Sequence, residues 1–106
     1  MDLVADTYKM SKRFPKDELY GLTSQLRRAA VSVPSNIAEG HGRKHLGEYL
    51  HHLSIANGSL MELETQVQIA FRLEYLNAED QDVLLHRTAD VGRMLAGLIS
   101  SLRRRR

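Results

Sequence analysis

Residues 46–75 read LGEYLHHLSIANGSLMELETQVQIAFRLEY. Within them Leu46, Tyr49, Leu53, Ala56, Leu60, Leu63, Val67 and Ala70 recur at intervals of 3, 4, 3, 4, 3, 4 and 3. An unbroken heptad seam of this kind predicts one long helix with an apolar stripe facing a neighbour. Such a rod is roughly 45 Å long at 1.5 Å per residue. Leu50, Met61 and Phe71 lie off the stripe and point to burial on more than one face. Gly58, in Asn57-Gly58-Ser59, costs about 1 kcal/mol in a helix interior relative to Ala, so it is expected to mark a close helix–helix approach.

On the C-terminal side, Leu84, Val91, Leu95, Leu98 and Leu102 form a second helical stripe, with Thr88 at its one polar position. Asn77 is a suitable N-cap, and Glu79, Asp80 and Asp82 suit the positive end of the helix dipole. The few residues around Leu76 and Asn77 force these two helices into an antiparallel hairpin. On the N-terminal side, Leu3, Val4, Tyr8 and Met10 suggest a short helix that stops before Phe14-Pro15, because a residue preceding proline is pushed out of the helical region. Leu22, Leu26, Ala30, Val33 and Ile37 define a further helix containing Pro34, which removes a backbone hydrogen bond and is expected to kink or split it. Gly40-His41-Gly42 supplies the stop. The fold class is therefore all-α, with four helices over about 2–13, 17–39 (kinked at Pro34), 45–75 and 78–102, followed by a basic tail at 103–106.

The first helix is less than half as long as the third. A seam left in water is unfavourable, since burial is worth roughly 25 cal/mol per Å². Either another copy covers it or the chain continues upstream, and self-association is the simpler expectation.

The chain of 106 residues affords one domain. It has no cysteine, which excludes disulfide scaffolds and thiolate chemistry. It lacks a bilayer-length apolar run and a signal-peptide pattern, so a cytoplasmic location is expected. The net charge of +2 divides into +3 over residues 1–45, −5 over 46–102 and +4 in the final four arginines. The basic character is thus largely a property of the tail, and opposite signs on the two halves suit packing within or between subunits.

Two blocks carry a resemblance. Residues 14–40, FPKDELYGLTSQLRRAAVSVPSNIAEG, and residues 55–64, IANGSLMELE, resemble the family of proteins encoded in intervening sequences of bacterial 23S ribosomal RNA genes, also labelled the S23 ribosomal protein family. Arg43 stands where that family places an arginine after the Ala-Glu-Gly step. The chain departs from the pattern in lacking about a dozen residues usually found ahead of Leu3, and in carrying Asn57 where arginine is more usual. The resemblance implies an antiparallel up-down four-helix bundle assembled as a ring-shaped homopentamer. It extends to the accessory variability protein of diversity-generating retroelements, which binds nucleic acid and a reverse transcriptase. The implied partners are other copies of the chain, RNA or DNA, and a polymerase or other element-encoded protein; a passenger of a mobile insert with no host role is also compatible.

Arg27, Arg28, Arg43 and Lys44 form the best basic cluster of the body, suited to salt-dependent, sequence-blind phosphate contacts. Arg27 and Arg28 point about 100° apart on a helix, so one can face solvent while the other turns to a neighbour. Pairing with the acidic second half is the alternative. Arg103, Arg104, Arg105 and Arg106 suit an arm for RNA, a solvated tail, or a cationic end to the last helix. Ser32, Asn36, Glu39, Ser59 and Glu62 are expected to be structural. Short polar chains can satisfy the carbonyl freed by Pro34, and Glu39 can pair with an arginine of a neighbouring helix. Glu48-x-x-His51 is a single copy of a motif that di-metal bundles need twice. His41, His45, His52 and His86 read as surface histidines. No cofactor, metal or catalytic constellation is indicated, and a non-enzymatic protein is expected.

Overall fold

The computed structural model describes residues 1–105, and helices fill most of them: α1 (Asp2–Ser11), α2 (Leu22–His41), α3 (Leu46–Arg72) and α4 (Ala78–Arg103), with a 3₁₀ turn at Lys16–Glu18. Together they make an all-α four-helix bundle, a rod of 47 × 24 × 18 Å. The α3 seam is its axis. Leu53, Ala56, Leu63, Val67 and Ala70 are fully buried and Leu60 nearly so, with only Leu46 and Tyr49 half-exposed. α2 packs along one flank of α3 and α4 along the other, while α1 closes the bundle against α2 and α4.

This arrangement overturns the expectation that a second copy must cover the seam. The length mismatch set α1 against α3, but the helices that lie on α3 are α2 and α4, of 20 and 26 residues. Off the seam, Leu50 is buried as expected, whereas Met61 and Phe71 face solvent. Tyr8 is also exposed, because α1 turns Leu3, Thr7, Met10 and Ser11 inward instead. The Thr7 hydroxyl donates to Leu3 O at 2.7 Å and so enters the core satisfied.

The close approach falls at a different glycine from the one expected. Gly58 faces open space. A Cβ on Gly40, by contrast, would lie 2.8 Å from His52 Cβ and 3.3 Å from Tyr49 O. Gly40 is buried inside α2, which continues to His41 and is capped at Gly42. Pro34 does not divide α2, which runs through it. The carbonyl that loses its donor is Ala30 O, but the Asn36 amide donates to Ser32 O at 2.9 Å, two positions further on.

The junctions are built from specific contacts. α2 begins at Leu22 rather than near residue 17, because Lys16–Glu18 form the 3₁₀ turn and Glu18 Oε1 accepts from Leu22 N at 3.3 Å. The other Glu18 oxygen accepts from the Tyr75 hydroxyl at 2.9 Å, and the Tyr75 ring packs on Phe14 at 5.5 Å. α3 stops at Arg72, short of residue 75. Tyr75 N donates to Ala70 O at 2.9 Å and Glu74 N to Phe71 O at 3.0 Å, a Schellman closure with Glu74 at φ 65°. Leu76 is buried beyond it, and Asn77 Oδ1 caps α4 by accepting from Asp80 N at 2.8 Å. Ion pairs bind α1 to α4. Arg87 reaches Asp6 at 3.0 Å and Asp2 at 3.5 Å, and Arg13 pairs with Asp80.

Two outcomes follow for stability. Gly58→Ala should raise stability by up to about 1 kcal/mol, since nothing opposes the gain in helix propensity. Gly40→Ala gains the same propensity but meets an overpacking cost of about 1–3 kcal/mol, so urea denaturation should show opposite signs for the two variants. The Tyr75 phenol is held above its ordinary value of 10.0, first by its hydrogen bond to Glu18 and then by burial and the Glu18 and Asp17 charges. A raised folded-state pKa favours the neutral phenol, so its contribution is complete below about pH 10 and is lost as pH rises through the raised value. Absorbance at 295 nm should show a late-titrating component that Tyr75→Phe removes.

Candidate nucleic-acid interface

The basic residues singled out in the sequence fall into two regions. Arg27 and Arg28 lie in the first half of α2, whereas Arg43 and Lys44 lie in the turn after it, roughly 20 Å further along at 1.5 Å per residue. The structure therefore separates what the sequence suggested as one cluster. It brings Arg43 and Lys44 instead to the end of the rod where α4 finishes. There Arg103 and Arg104 line a groove of about 580 Å³ against Leu50, Ser54 and Asn57 of α3. Arg43 lines a smaller recess of about 310 Å³ with Gly47, Glu48, His51 and His52, on the same first turns of α3. Arg105 is exposed beside them, and Arg106 lies outside the described residues.

Their charges are unequally committed. Arg43 pairs with Glu39 at 2.8 Å. Glu39 thus finds its arginine four residues on, at the end of its own helix, and not on a neighbouring helix as expected. Lys44, Arg103, Arg104 and Arg105 are exposed and make no ion pair among the described residues. The acidic second half is drawn on elsewhere, as in the pair of Asp80 with Arg13.

The polar residues of the two hallmark blocks bridge α2 and α3. Ser32 and Ser59 hydroxyls meet at 2.8 Å, the Asn36 amide donates to Ser32 Oγ at 3.0 Å, and Asn36 Oδ1 meets His52 Nδ1 at 3.2 Å. Glu62 instead accepts from Gln66 on its own helix at 3.1 Å. His41 stacks edge-on against Tyr49 with ring centres 5.8 Å apart. His41, His45 and His86 are exposed as expected, and so is His51, whereas His52 is half-buried between α2 and α3 and not a free surface histidine. Among the described residues no group of three or more His, Asp or Glu side chains is placed to hold a metal ion. Glu48 and His51 share their recess with Arg43, whose charge opposes a cation there.

Around Arg27 and Arg28 a second surface takes shape. Arg27 turns toward α1, where its Nε donates to Ser11 Oγ at 2.8 Å and its guanidinium lies 4.9 Å from the Tyr8 ring centre. Arg28 faces solvent without an ion pair among the described residues. Both line a concavity of about 580 Å³ with Tyr8, Leu19, Tyr20 and Val31. The aromatic members of this surface were not recognisable from sequence. Tyr8 reads as a core position, and Tyr20 gives one signal only, its place beside Gly21 in a non-helical junction.

The likeness to known proteins can be set beside this geometry. The model of the 23S rRNA-intervening sequence protein family matches residues 1–97. The chain belongs to that family. Among solved structures, a protein of unknown function from the S23 ribosomal protein family of Bacteroides thetaiotaomicron VPI-5482 superposes with a TM-score of 0.86 at 18% identity, covering 93% of this chain and 89% of that one. At that identity the likeness speaks for the fold. No curated protein matches the sequence. Among the described residues no helix is long and apolar enough to cross a membrane.

If Arg27 is held by Tyr8 as the geometry indicates, a double-mutant cycle of Arg27→Ala and Tyr8→Ala should give a coupling of about 0.5–1 kcal/mol. Arg28→Ala should leave stability within about 0.5 kcal/mol of wild type.

Proposed function

We propose that this 23S rRNA-intervening sequence family member is a non-enzymatic nucleic-acid-associated accessory or scaffold protein, with RNA as its polyanion, working as a self-assembled ring-shaped homopentamer. What supports the nucleic-acid reading is that Lys44, Arg103, Arg104 and Arg105, none of them ion-paired among the described residues, belong to the end of the rod where α2 and α4 finish and α3 begins. Cations left unpaired in this way bind phosphates by releasing counterions, with little regard for sequence.

Self-association no longer has the α3 seam as its support. It draws on a different stripe of the same helix. Ile55 and Ile69 are exposed and, 14 residues apart, share one face of α3, and Leu73 is exposed just beyond the helix end. Assembly would multiply the basic ends and raise a modest affinity per chain through avidity. Sedimentation at micromolar concentration tests this, and a stable lone protomer would remove the ring from the proposal.

For binding, fluorescence anisotropy with a structured RNA should show strong salt dependence. Four cations engaged per chain correspond to a slope of about −2.8 to −3.6 in log affinity against log salt, a loss of about 50- to 150-fold between 50 and 200 mM. Replacing Arg103, Arg104 and Arg105 together by Ala should lower the slope by about 2 to 3. A Kd weaker than about 100 μM at low salt, or one that salt leaves unchanged, overturns the reading.

A further inference from the structure

The concavity between α1 and α2 differs in chemistry from the basic end of the rod, and it lies on another part of the molecule. Its wall includes two arginines and two tyrosines but no aspartate or glutamate. Tyr20, in the junction between the 3₁₀ turn and α2, is 95% exposed, so essentially its whole ring stands in water. Tyr8 carries the Arg27 guanidinium 4.9 Å from its ring centre, and Ser11 Oγ fixes that guanidinium through Nε at 2.8 Å. A guanidinium held in place this way loses little freedom when its remaining N–H groups meet an anion. Arg28 lines the same hollow with no ion pair among the described residues. In the wall, Thr23 is almost fully buried, and its Oγ1 has no hydrogen-bond partner among the described residues. Ser24 adds a further hydroxyl. The volume of about 580 Å³ falls within the range of ligand-binding clefts.

We propose that this concavity is a subsite for single-stranded nucleic acid, in which an unpaired base stacks on Tyr20 while Arg28 and the Tyr8-backed Arg27 hold the adjoining phosphates. The inference rests on the nucleic-acid reading above and narrows it to a substrate class. An arginine pair alone would suit any polyanion. The exposed Tyr20 ring distinguishes the strands, because a duplex buries its base faces in its own stack and offers a tyrosine only backbone, whereas a single strand presents a π-face at each base. The absence of carboxylates from the wall leaves the field there positive.

The test is fluorescence anisotropy of the full chain with a mixed-sequence single-stranded RNA and with a duplex of equal length, at one fixed salt concentration. Tyr20→Ala should weaken single-strand binding by about tenfold, the effect of losing one stacked base, and leave duplex binding unchanged. Tyr20→Phe, which keeps the ring, should bind like wild type. Arg28→Ala should weaken both. Because Tyr20 is exposed, its variants should keep wild-type circular dichroism and urea midpoints. Equal affinity for strand and duplex, together with no effect of Tyr20→Ala, overturns the stacking subsite and leaves the polyanion reading of the basic end intact. Failure of wild type to bind either ligand overturns both. Loss of affinity in Tyr20→Phe as large as in Tyr20→Ala also overturns stacking, since the hydroxyl would then be the group that binds.

Discussion

The stripe from Leu53 to Ala70 must leave water along some 25 Å of helix, at 1.5 Å per residue, and α3 achieves this by taking a helix on each flank. A fully buried leucine is worth about 1.5–3 kcal/mol, so the leucines of this stripe alone contribute on the scale of a domain's whole net stability of about 5–15 kcal/mol. The remaining architecture follows. α2 and α4 have to be long, antiparallel to α3 and joined to it by short turns, which is why the Schellman closure at Glu74 and the Asn77 cap stand so close together.

α1 holds its place on different terms. It meets α2 and α4 over only ten residues, with Leu3 and Met10 as its apolar anchors, Arg87 of α4 pairing with its Asp2 and Asp6, and Arg13, just beyond its end, pairing with Asp80. Such surface pairs are individually weak, so α1 is the element expected to open first in local unfolding. It also supplies Tyr8 and Ser11, the groups that orient Arg27. The order of the α1–α2 concavity thus depends on the least firmly packed helix.

The second half of the chain was legible because its apolar spacing is regular enough to name both helices, their hairpin and the Asn77 cap. The first half was less so. Thr7 and Ser11 enter the core in place of Tyr8 by satisfying their hydroxyls locally, a choice that hydrophobicity does not record. Nor does composition distinguish Gly40 from Gly58. Both stand within helices, and only the neighbouring α3 turn at Tyr49 and His52 makes one of them indispensable. Family resemblance carried the architecture further than periodicity did. For the site, the divergent directions of Arg27 and Arg28 were readable from helix geometry. Their separation from Arg43 and Lys44 follows from the length of α2, whereas the grouping of Arg43 and Lys44 with the terminal arginines required knowing where α4 ends.

That ending has a further consequence. A 47 Å body with an excess of positive charge at one tip, where Arg43, Lys44, Arg103, Arg104 and Arg105 outnumber Glu39 and Glu48, carries a long electrical lever arm. In the field of a polyanion such a body experiences a torque as well as an attraction, and it turns before it touches. Under the proposed association with RNA, capture would be tip-first, with the flank bearing Tyr20 swinging in afterwards, and added electrolyte would slow the turning as well as loosen the grip.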